Sequence, residues 1–232
     1  MKQFASILIA ATAALAQTPA PKTPTAPAKT APKTAAALNL LDPATLKARA
    51  PEMYRVQFTT TKGNVILEIT RAWAPLGADR FYNLVRAGFF TNCTFFRVVP
   101  RFMVQFGISP RPDVARVWQN ANIADDRVTQ SNKRGTITFA TAGPNTRTTQ
   151  LFINFVDNAG LDGQGFSPFG QVVEGMEVVD KIYPGYGEQP DQGRLQSEGK
   201  AYTDKSFPML DKILSATIVP AASPATPPDA KK

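Results

Sequence analysis

The segment FFRVVPRFMVQ occupies residues 95–105 and carries the clearest structural signal in the chain. A proline at its centre separates two apolar runs, and this pattern predicts two short strands joined by a turn. Successive side chains of a strand point to opposite faces, so Phe95 and Arg97 would share one face. On the following strand, Met103 and Gln105 share a face. An arginine, a methionine and a glutamine could therefore project together from this hairpin.

A second segment, GTITFATAGPNTRTTQLFI at residues 135–153, contains two more apolar runs separated by turn-forming residues. On its second run, Gln150 and Phe152 share a face. Together the two segments would form an apolar patch made of Phe102, Met103 and Phe152. The guanidinium of Arg97 and the amides of Gln105 and Gln150 would border this patch. The alternative is an ordinary β core with unrelated surface polar groups, and the spacing alone favours that plainer interpretation.

The hydrophobic period along the domain is mostly two, which is typical of strands. It predicts eight short strands at residues 54–60, 64–70, 95–99, 103–106, 136–140, 151–154, 169–173 and 212–219. Helices are predicted over residues 74–87 and 176–182, the first with Pro75 in its first turn. We therefore expect a mainly β fold, a closed eight-stranded antiparallel β-barrel capped by two helices. Closure of the sheet would remove its exposed edges.

The composition excludes several classes of chemistry. The 232 residues include no histidine and a single cysteine, Cys93. This excludes Ser-His and Cys-His catalytic pairs, histidine-ligated metals, internal disulfides and CxxC redox motifs. No P-loop or dinucleotide-binding glycine pattern is present, and the adjacent Asp125-Asp126 pair is interpreted as part of a solvated loop. We expect no metal and no other cofactor, and we interpret Cys93 as a filler of the core or near surface.

The net charge of +8 arises mainly in the terminal segments. Residues 40–219 contain 20 basic and 17 acidic side chains, so this part of the chain is almost balanced. Nucleic-acid binding normally requires a concentrated basic surface, which a balanced domain does not provide. We therefore expect no nucleic-acid partner.

The N-terminal residues 1–16 have the pattern of a secretory signal. Lys2 precedes an apolar stretch, and a small-x-small cleavage pattern ends at Ala16. An uncleaved membrane anchor is the alternative, but the apolar stretch is shorter than the ~20 residues that span a bilayer. We expect an exported protein, periplasmic or secreted, without a membrane span in the mature chain.

Two low-complexity segments flank the predicted domain at residues 40–219. Residues 17–39 and 220–232 are rich in proline and alanine, with lysine and threonine among them. Such segments cannot bury enough apolar surface to offset the entropy lost on ordering. They are predicted to form a disordered linker and a disordered tail.

Three blocks of the sequence resemble the cyclophilin family of peptidyl-prolyl isomerases. The segments at 95–105 and 135–153 are similar to its first two active-site signatures, and LDG at 161–163 with FGQVVEGMEVV at 169–179 is similar to its third block. The resemblance extends from residue 55 to residue 218 and is strongest to exported bacterial members. It implies an eight-stranded barrel with two helices, in agreement with the strand count, and rotation of X-Pro peptide bonds as the activity.

The resemblance also implies roles for individual residues. It places the catalytic arginine at Arg97 and a backbone-binding glutamine at Gln105. Substrate-binding positions fall at Phe102, Met103, Ala140, Thr141, Ala142, Gln150, Phe152, Leu161 and Phe166. Within this set, the apolar side chains would hold the proline ring, and residues 140–142 would bind the peptide largely through their main chain. Thr141 stands where an asparagine is usual in the family.

Two positions depart from the family pattern. The pocket histidine of many eukaryotic members is absent, and Phe166 is expected to fill that area. The tryptophan that precedes the Leu-Asp-Gly triplet in the family is Gly160 here. Because that tryptophan contacts cyclosporin, weak cyclosporin binding is expected. Neither missing residue performs acid–base chemistry, so isomerase activity should be retained.

The resemblance implies proline-containing polypeptides as partners and a monomeric enzyme that assists protein folding. Catalysis would be non-covalent, with Arg97 stabilising the twisted imide. Two alternatives stay open at this point. One is a proline-peptide-binding chaperone module with little catalysis. The other is a secreted structural or wall-associating protein that acts through its basic, proline-rich segments.

Overall fold

The computed structural model describes residues 39–220. The predictions for residues 1–38 and 221–232, which comprise the signal, most of the linker and the tail, lie outside the described residues. The strands are β1 (Met53–Thr60), β2 (Gly63–Thr70), β3 (Cys93–Thr94), β4 (Arg97–Val99), β5 (Met103–Phe106), β6 (Thr136–Phe139), β7 (Leu151–Asn154), β8 (Pro168–Glu174) and β9 (Lys212–Val219). The α-helices are α1 (Pro75–Arg86), α2 (Pro112–Trp118), α3 (Met176–Val179), α4 (Gln192–Glu198) and α5 (Lys200–Ser206).

The register of four neighbouring strands creates a core-facing row and an outward-facing row. Val98 of β4 lies opposite Val104 of β5, which lies opposite Ile153 of β7 and, beyond it, Ile137 of β6. None of these four side chains is more than 3% exposed. Because side chains alternate along a strand, the adjacent positions point away from this core. The outward row carries the candidate site.

Phenylalanine rings fill much of the interior. Phe58 of β1 contacts Phe81 of α1, Phe90 and Phe106 of β5, with ring centroids 5.7–6.1 Å apart. The apolar face predicted for α1 thus packs on the sheet. Cys93 is fully buried in the same core, and burial raises the pKa of its thiol far above the ordinary value. A buried, protonated thiol of this kind is a packing group rather than a nucleophile.

The mainly antiparallel β class is confirmed, with nine strands in one sheet in the order β3-β9-β1-β2-β8-β6-β7-β5-β4. The ninth strand is β3, which was not predicted and pairs with β9, whereas the strand expected at 95–99 corresponds to the shorter β4, which pairs with β5. The Phe95 N–H donates to the Asp211 carbonyl at 2.9 Å, and the Phe95 ring enters the core. The expectation that Phe95 and Arg97 share a face is therefore wrong, because the chain turns between them.

A loop fills the seam between the two edge strands of the sheet. In the described part of the chain, β3 and β4 follow each other closely but do not pair. The Val98 N–H of β4 instead donates to the Gly187 carbonyl at 3.0 Å. Gly187 belongs to residues 183–211, the connection between the α3 region and β9. The sheet is therefore curled as a barrel, but a loop rather than strand pairing bridges its seam.

Short helices are the second difference from the predicted architecture. α1 and α3 lie within the two helices expected at 74–87 and 176–182. α2, α4 and α5 are additional helices of seven residues each. Seven residues make about two helical turns and give little periodic signal. Within residues 39–220, none of the helices combines the length and the hydrophobicity needed to cross a membrane.

Candidate active site

The outward-facing row of the sheet carries the polar residues predicted for the site. Arg97 of β4 lies opposite Gln105 of β5, which lies opposite Phe152 of β7. Met103 lies two positions before Gln105 and therefore shares its face. The Arg97 side chain is 32% exposed, whereas Gln105 is 6% exposed. A partly exposed guanidinium thus stands beside a row of nearly buried side chains.

A surface cavity of about 560 Å³ opens over this row. Its size falls within the range of ordinary small-ligand sites. Every residue that the sequence predicted for the site lines it: Arg97, Phe102, Met103, Gln105, Ala140, Thr141, Ala142, Gln150, Phe152, Leu161 and Phe166. Residues from strands, loops and a 3₁₀-helix between positions 97 and 166 are therefore brought together in one hollow.

The floor of the cavity is apolar. Met103 and Phe152 are 2% and 5% exposed, and Phe166 meets Phe152 edge to face with ring centroids 5.7 Å apart. Phe102 and Leu161 are half-buried and complete the lining. A hollow with such walls can take a small ring and exclude water from it.

Hydrogen bonds fix the orientation of Arg97. Its Nη1 donates to the Gln105 Oε1 at 3.2 Å, and the Gln105 Nε2 donates in turn to the Gln150 Oε1 at 2.8 Å. The Arg97 Nε donates to the Glu188 Oε1 at 2.6 Å. These contacts set the guanidinium at the rim of the apolar floor before any substrate binds. Oriented donors of this kind can stabilise charge that develops during a reaction.

Residues 140–142 follow β6 and line one edge of the cavity. The Ala140 N–H donates to the Gln150 carbonyl at 3.0 Å, and the Ala142 N–H donates to the Thr146 Oγ1 at 2.9 Å. The Thr141 Oγ1 is turned towards its own loop, 2.8 Å from the Thr146 Oγ1. Among residues 39–220, the main-chain N–H and C=O of Thr141 make no hydrogen bond. This edge can therefore pair with an extended peptide in the manner of an added strand.

A partly buried polar network holds the wall that carries Leu161. The Asp162 carboxylate accepts hydrogen bonds from the Ser131 Oγ at 2.6 Å, the Asn132 N–H at 2.9 Å and the Asn132 Nδ2 at 2.8 Å. The same Nδ2 donates to the Phe166 carbonyl at 2.9 Å. Asn132 is fully buried, so its amide holds Asp162 and the Phe166 main chain in fixed positions. Two apolar residues of the cavity thus depend on one asparagine and one aspartate.

The ionisation of Asp162 sets an expectation for pH dependence. Partial burial opposes its charge, but the hydrogen bonds from Ser131 and Asn132 outweigh this and lower the pKa of the carboxyl. Because the folded pKa lies below the unfolded one, the contribution of Asp162 to stability is complete above the unfolded value, ~3.9. This contribution is lost as the pH falls through the pKa of Asp162 in the folded state.

We therefore expect kcat/KM to change less than about twofold between pH ~6 and pH ~8, since no histidine is present to titrate there. Activity should fall only in acid, as Asp162 is protonated and its wall loosens. Initial rates in buffers of constant ionic strength measure this profile. A bell-shaped curve with an apparent pKa near neutrality would contradict it.

The cavity also contains residues that sequence patterns did not single out. A group of uncharged polar side chains comes from the loops and from α4: Gln119, Asn120, Asn122, Thr146, Thr148, Gln192 and Gln196. Thr146 and Thr148 lie in the segment 135–153 but were assigned no role there, the positions at 119, 120 and 122 carry no motif, and those from α4 belong to a helix too short to predict. Five of the seven are amides and two are threonines, and both side-chain types can hydrogen bond to peptide groups.

The interpretation of Asp125-Asp126 needs correction. Asp125 is exposed, as expected for a solvated loop, but the side chain of Asp126 is only 3% exposed. The Asp126 carboxylate accepts from the N–H groups of Leu76 and Gly77 at 3.0 and 2.8 Å, at the start of α1. It also pairs with the Arg147 Nη1 at 3.0 Å. Asp126 is therefore a buried structural carboxylate beside the cavity loops.

Comparison with known proteins assigns the arrangement to a family. The model of the cyclophilin type peptidyl-prolyl cis-trans isomerase family matches residues 55–199, more than half of the chain. The chain belongs to this family. It is thus a cyclophilin-type peptidyl-prolyl cis-trans isomerase, and proline-containing peptides are what the family binds.

Bacterial relatives are similar over most of the domain. Peptidyl-prolyl cis-trans isomerase A of Dickeya dadantii is 42% identical over 134 residues, which cover 55% of this chain and 70% of the relative. Peptidyl-prolyl cis-trans isomerase B of Escherichia coli K12 is 35% identical over 136 residues, which cover 55% of this chain and 82% of the relative. Both are named for the activity that the sequence blocks implied.

A solved structure is similar in fold. The crystal structure of a cyclophilin type peptidyl-prolyl cis-trans isomerase from Cryptosporidium parvum superposes with a TM-score of 0.54 at 19% identity, covering 73% of this chain and 99% of that one. At this identity the likeness concerns the fold. It agrees with the curled antiparallel sheet described above.

Of the two departures from the usual cyclophilin pattern, Gly160 immediately precedes Leu161, and only Phe166 is among the residues of the cavity. Phe166 lines it and packs against Phe152, so an aromatic ring occupies this part of the lining. At Gly160, an added Cβ would meet no described atom within 4 Å. The position is therefore open on the side where a larger residue would stand. Weak cyclosporin binding stays a prediction.

Proposed function

We propose that this isomerase turns X-Pro bonds by a non-covalent mechanism in which Arg97 stabilises the twisted imide. The observation that carries the proposal is the row Arg97, Gln105 and Phe152, which sets a fixed guanidinium at the edge of an apolar hollow. The remaining steps follow from the chemistry of the prolyl bond.

Rotation about an X-Pro bond is slow because amide resonance is lost at the twisted state. The barrier is ~20 kcal/mol, which gives uncatalysed times of tens of seconds. No covalent bond breaks, so the reaction needs neither a nucleophile nor a general base. A chain without histidine is therefore compatible with it.

The twisted state differs from both planar states in its charge distribution. The imide nitrogen becomes pyramidal and gains a localised lone pair, which can accept a hydrogen bond. A guanidinium N–H of Arg97 directed at that nitrogen, or at the prolyl carbonyl, stabilises the twisted form more than either planar form. Only such differential stabilisation accelerates the step.

The rest of the cavity would hold one side of the bond while the other side turns. Met103, Phe152 and their apolar neighbours would fix the pyrrolidine ring. Gln105 and the free main-chain groups of Thr141 would fix the peptide. Partial removal of water from the imide would lower the barrier further, because hydration favours the planar, polar amide. Replacement of Arg97 tests the proposal, since the hollow keeps its shape and loses its charged donor.

We further propose that the substrates are exported proteins. Support comes from residues 1–16, where Lys2, an apolar stretch and the pattern ending at Ala16 are typical of a cleaved secretory signal. An isomerase that follows this route would meet its substrates as they fold outside the cytoplasm.

Export is tested by expressing the full chain in a bacterium and sequencing the N-terminus of the protein in the cytoplasmic and exported fractions. We expect exported protein that begins at Gln17. A Leu8→Arg variant, which interrupts the apolar stretch, should stay uncleaved in the cytoplasm. Wild-type protein that keeps Met1 and stays in the cytoplasm would contradict the proposal.

A further inference from the structure

Glu188 contacts the guanidinium on which the proposed mechanism rests. Its Oε1 accepts from the Arg97 Nε at 2.6 Å and lies 2.5 Å from the Arg97 Nη2. The third nitrogen, Nη1, donates to Gln105. All three guanidinium nitrogens thus contact a protein group, while Nη1 and Nη2 keep further hydrogens for a substrate.

The loop that carries Glu188 is fastened directly beside Arg97. The residue after Arg97, Val98, donates its N–H to the carbonyl of the residue before Glu188, Gly187, at 3.0 Å. Within the loop, the Gly187 N–H donates to the Pro184 carbonyl at 2.9 Å. These main-chain bonds fix where the Glu188 side chain begins.

Aromatic rings pack against one another within the segment that carries the same loop. Tyr186 meets Tyr183 and Phe207 edge to face, with ring centroids 5.3 and 5.0 Å apart. Phe207 in turn meets Tyr202 of α5 at 5.4 Å. The Tyr183 N–H donates to the Asp211 carboxylate at 2.7 Å. The segment from 183 to 211 is therefore packed and hydrogen-bonded, and it can hold Glu188 in place.

The pair between Arg97 and Glu188 differs from an ordinary surface ion pair. Arg194 and Glu198 of α4 form such a pair one helical turn apart, and both are well exposed. Arg97 and Glu188 are 91 positions apart in the chain, and the fold must bring them together. The Glu188 side chain is 60% exposed, so the pair contributes little to stability. The pair instead determines the direction in which the Arg97 guanidinium points.

We propose that Glu188 is a positioning residue for Arg97. It holds the Nε edge of the guanidinium, as Gln105 holds Nη1, so that the remaining N–H groups face the cavity. This inference rests on the proposed role of Arg97 and extends it to a residue outside the segments that carry the family resemblance. Glu188 does not touch the substrate and acts only through Arg97.

A double-mutant cycle tests the proposal with the full chain. Glu188→Ala is expected to lower kcat about threefold to fivefold, the size of one exposed ion-pair contact, with KM unchanged within about twofold. In an Arg97→Ala background the same substitution should have no further effect. Glu188→Gln keeps an acceptor oxygen and should recover part of the lost rate. Glu198→Ala, which breaks the Arg194 pair in the same segment, is the matched control and should match wild type.

A spectroscopic readout separates orientation from general loosening. The NMR signal of the Arg97 Nε–H, assigned by its loss in Arg97→Ala, should shift and exchange faster with solvent in Glu188→Ala while backbone signals away from the loop stay in place.

If Arg97→Ala is inactive but Glu188→Ala matches wild type in kcat, the inference about Glu188 is overturned and the proposed mechanism stands. If Arg97→Ala itself is fully active, the proposed mechanism fails. If Glu188→Ala lowers kcat equally in the Arg97→Ala background, the effect does not pass through Arg97 and the inference is wrong.

Discussion

Replacement of Arg97 by alanine is expected to lower kcat/KM for a short Ala-Pro peptide about a hundredfold or more. Removal of one oriented donor from a charge-stabilising site typically costs ~2.7–4 kcal/mol of barrier, which is about two to three powers of ten in rate. Arg97 lies on the outward face of β4, and its side chain is 32% exposed, so the core-facing row keeps its packing. A protease-coupled isomerase assay measures the rate, and circular dichroism checks the fold.

Arg101→Ala is the matched control for this experiment. Arg101 lies in the turn of the same hairpin, is exposed and does not line the cavity. The loss of a positive charge at that position should leave kcat/KM within about twofold of wild type, because exposed charges interact weakly at a distance in salt. Full activity in Arg97→Ala would remove the basis of the proposed mechanism.

Replacement of Asp126 by alanine is expected to lower the free energy of unfolding by about 3–5 kcal/mol, the usual cost of removing one partner of a buried ion pair. The side chains of Asp126 and Arg147 are each 3% exposed, and the substitution would leave the guanidinium with only the more exposed carboxylate of Asp125, 3.3 Å from its Nε. It would also remove the acceptor for the first N–H groups of α1, at Leu76 and Gly77. Chemical denaturation followed by fluorescence measures the change.

Two companion variants make this stability prediction specific. Asp125→Ala removes the second carboxylate near Arg147, 3.3 Å from its Nε, and should cost only about 1 kcal/mol, because solvent screens the more exposed Asp125 charge. Asp126→Asn keeps an acceptor for α1 but loses the charge, so its stability should fall between wild type and Asp126→Ala. A loss of less than about 1 kcal/mol in Asp126→Ala would contradict the predicted contribution of the buried pair with Arg147.

The part of the site that lies on strands could be predicted from the sequence. Alternation along β5 places Met103 and Gln105 on one face, and alternation from Gln150 into β7 does the same for Gln150 and Phe152. Antiparallel pairing sets Gln105 opposite Phe152, so both pairs lie on the same face of the sheet. The residues of the cavity floor are therefore a local consequence of period-two patterning. The family resemblance added Leu161 and Phe166, which periodicity alone did not connect to the strands.

The remainder of the site depends on contacts between distant segments. Glu188 meets Arg97 only because the loop after α3 bonds to Val98 at the sheet seam. That loop has no period, and α4 and α5 beyond it are too short to give one. Asn132 and Asp126 are polar residues that are buried because of partners far along the chain. A short stretch of sequence does not contain those partners, so it predicts that both residues lie on the surface. Sequence patterning identifies the face of a strand but not what covers its edge.

The most direct test of the central claim separates binding from rotation at the same site. NMR exchange spectroscopy on an Ala-Pro peptide, with the enzyme present in catalytic amount, measures the cis–trans rate, and peptide titration measures binding. Wild-type protein should bring exchange into the subsecond range, whereas Arg97→Ala should still bind the peptide within about threefold of wild-type affinity and leave exchange near the uncatalysed rate of tens of seconds. Exchange as fast in Arg97→Ala as in wild type, or wild-type protein that binds without accelerating exchange, would contradict the account.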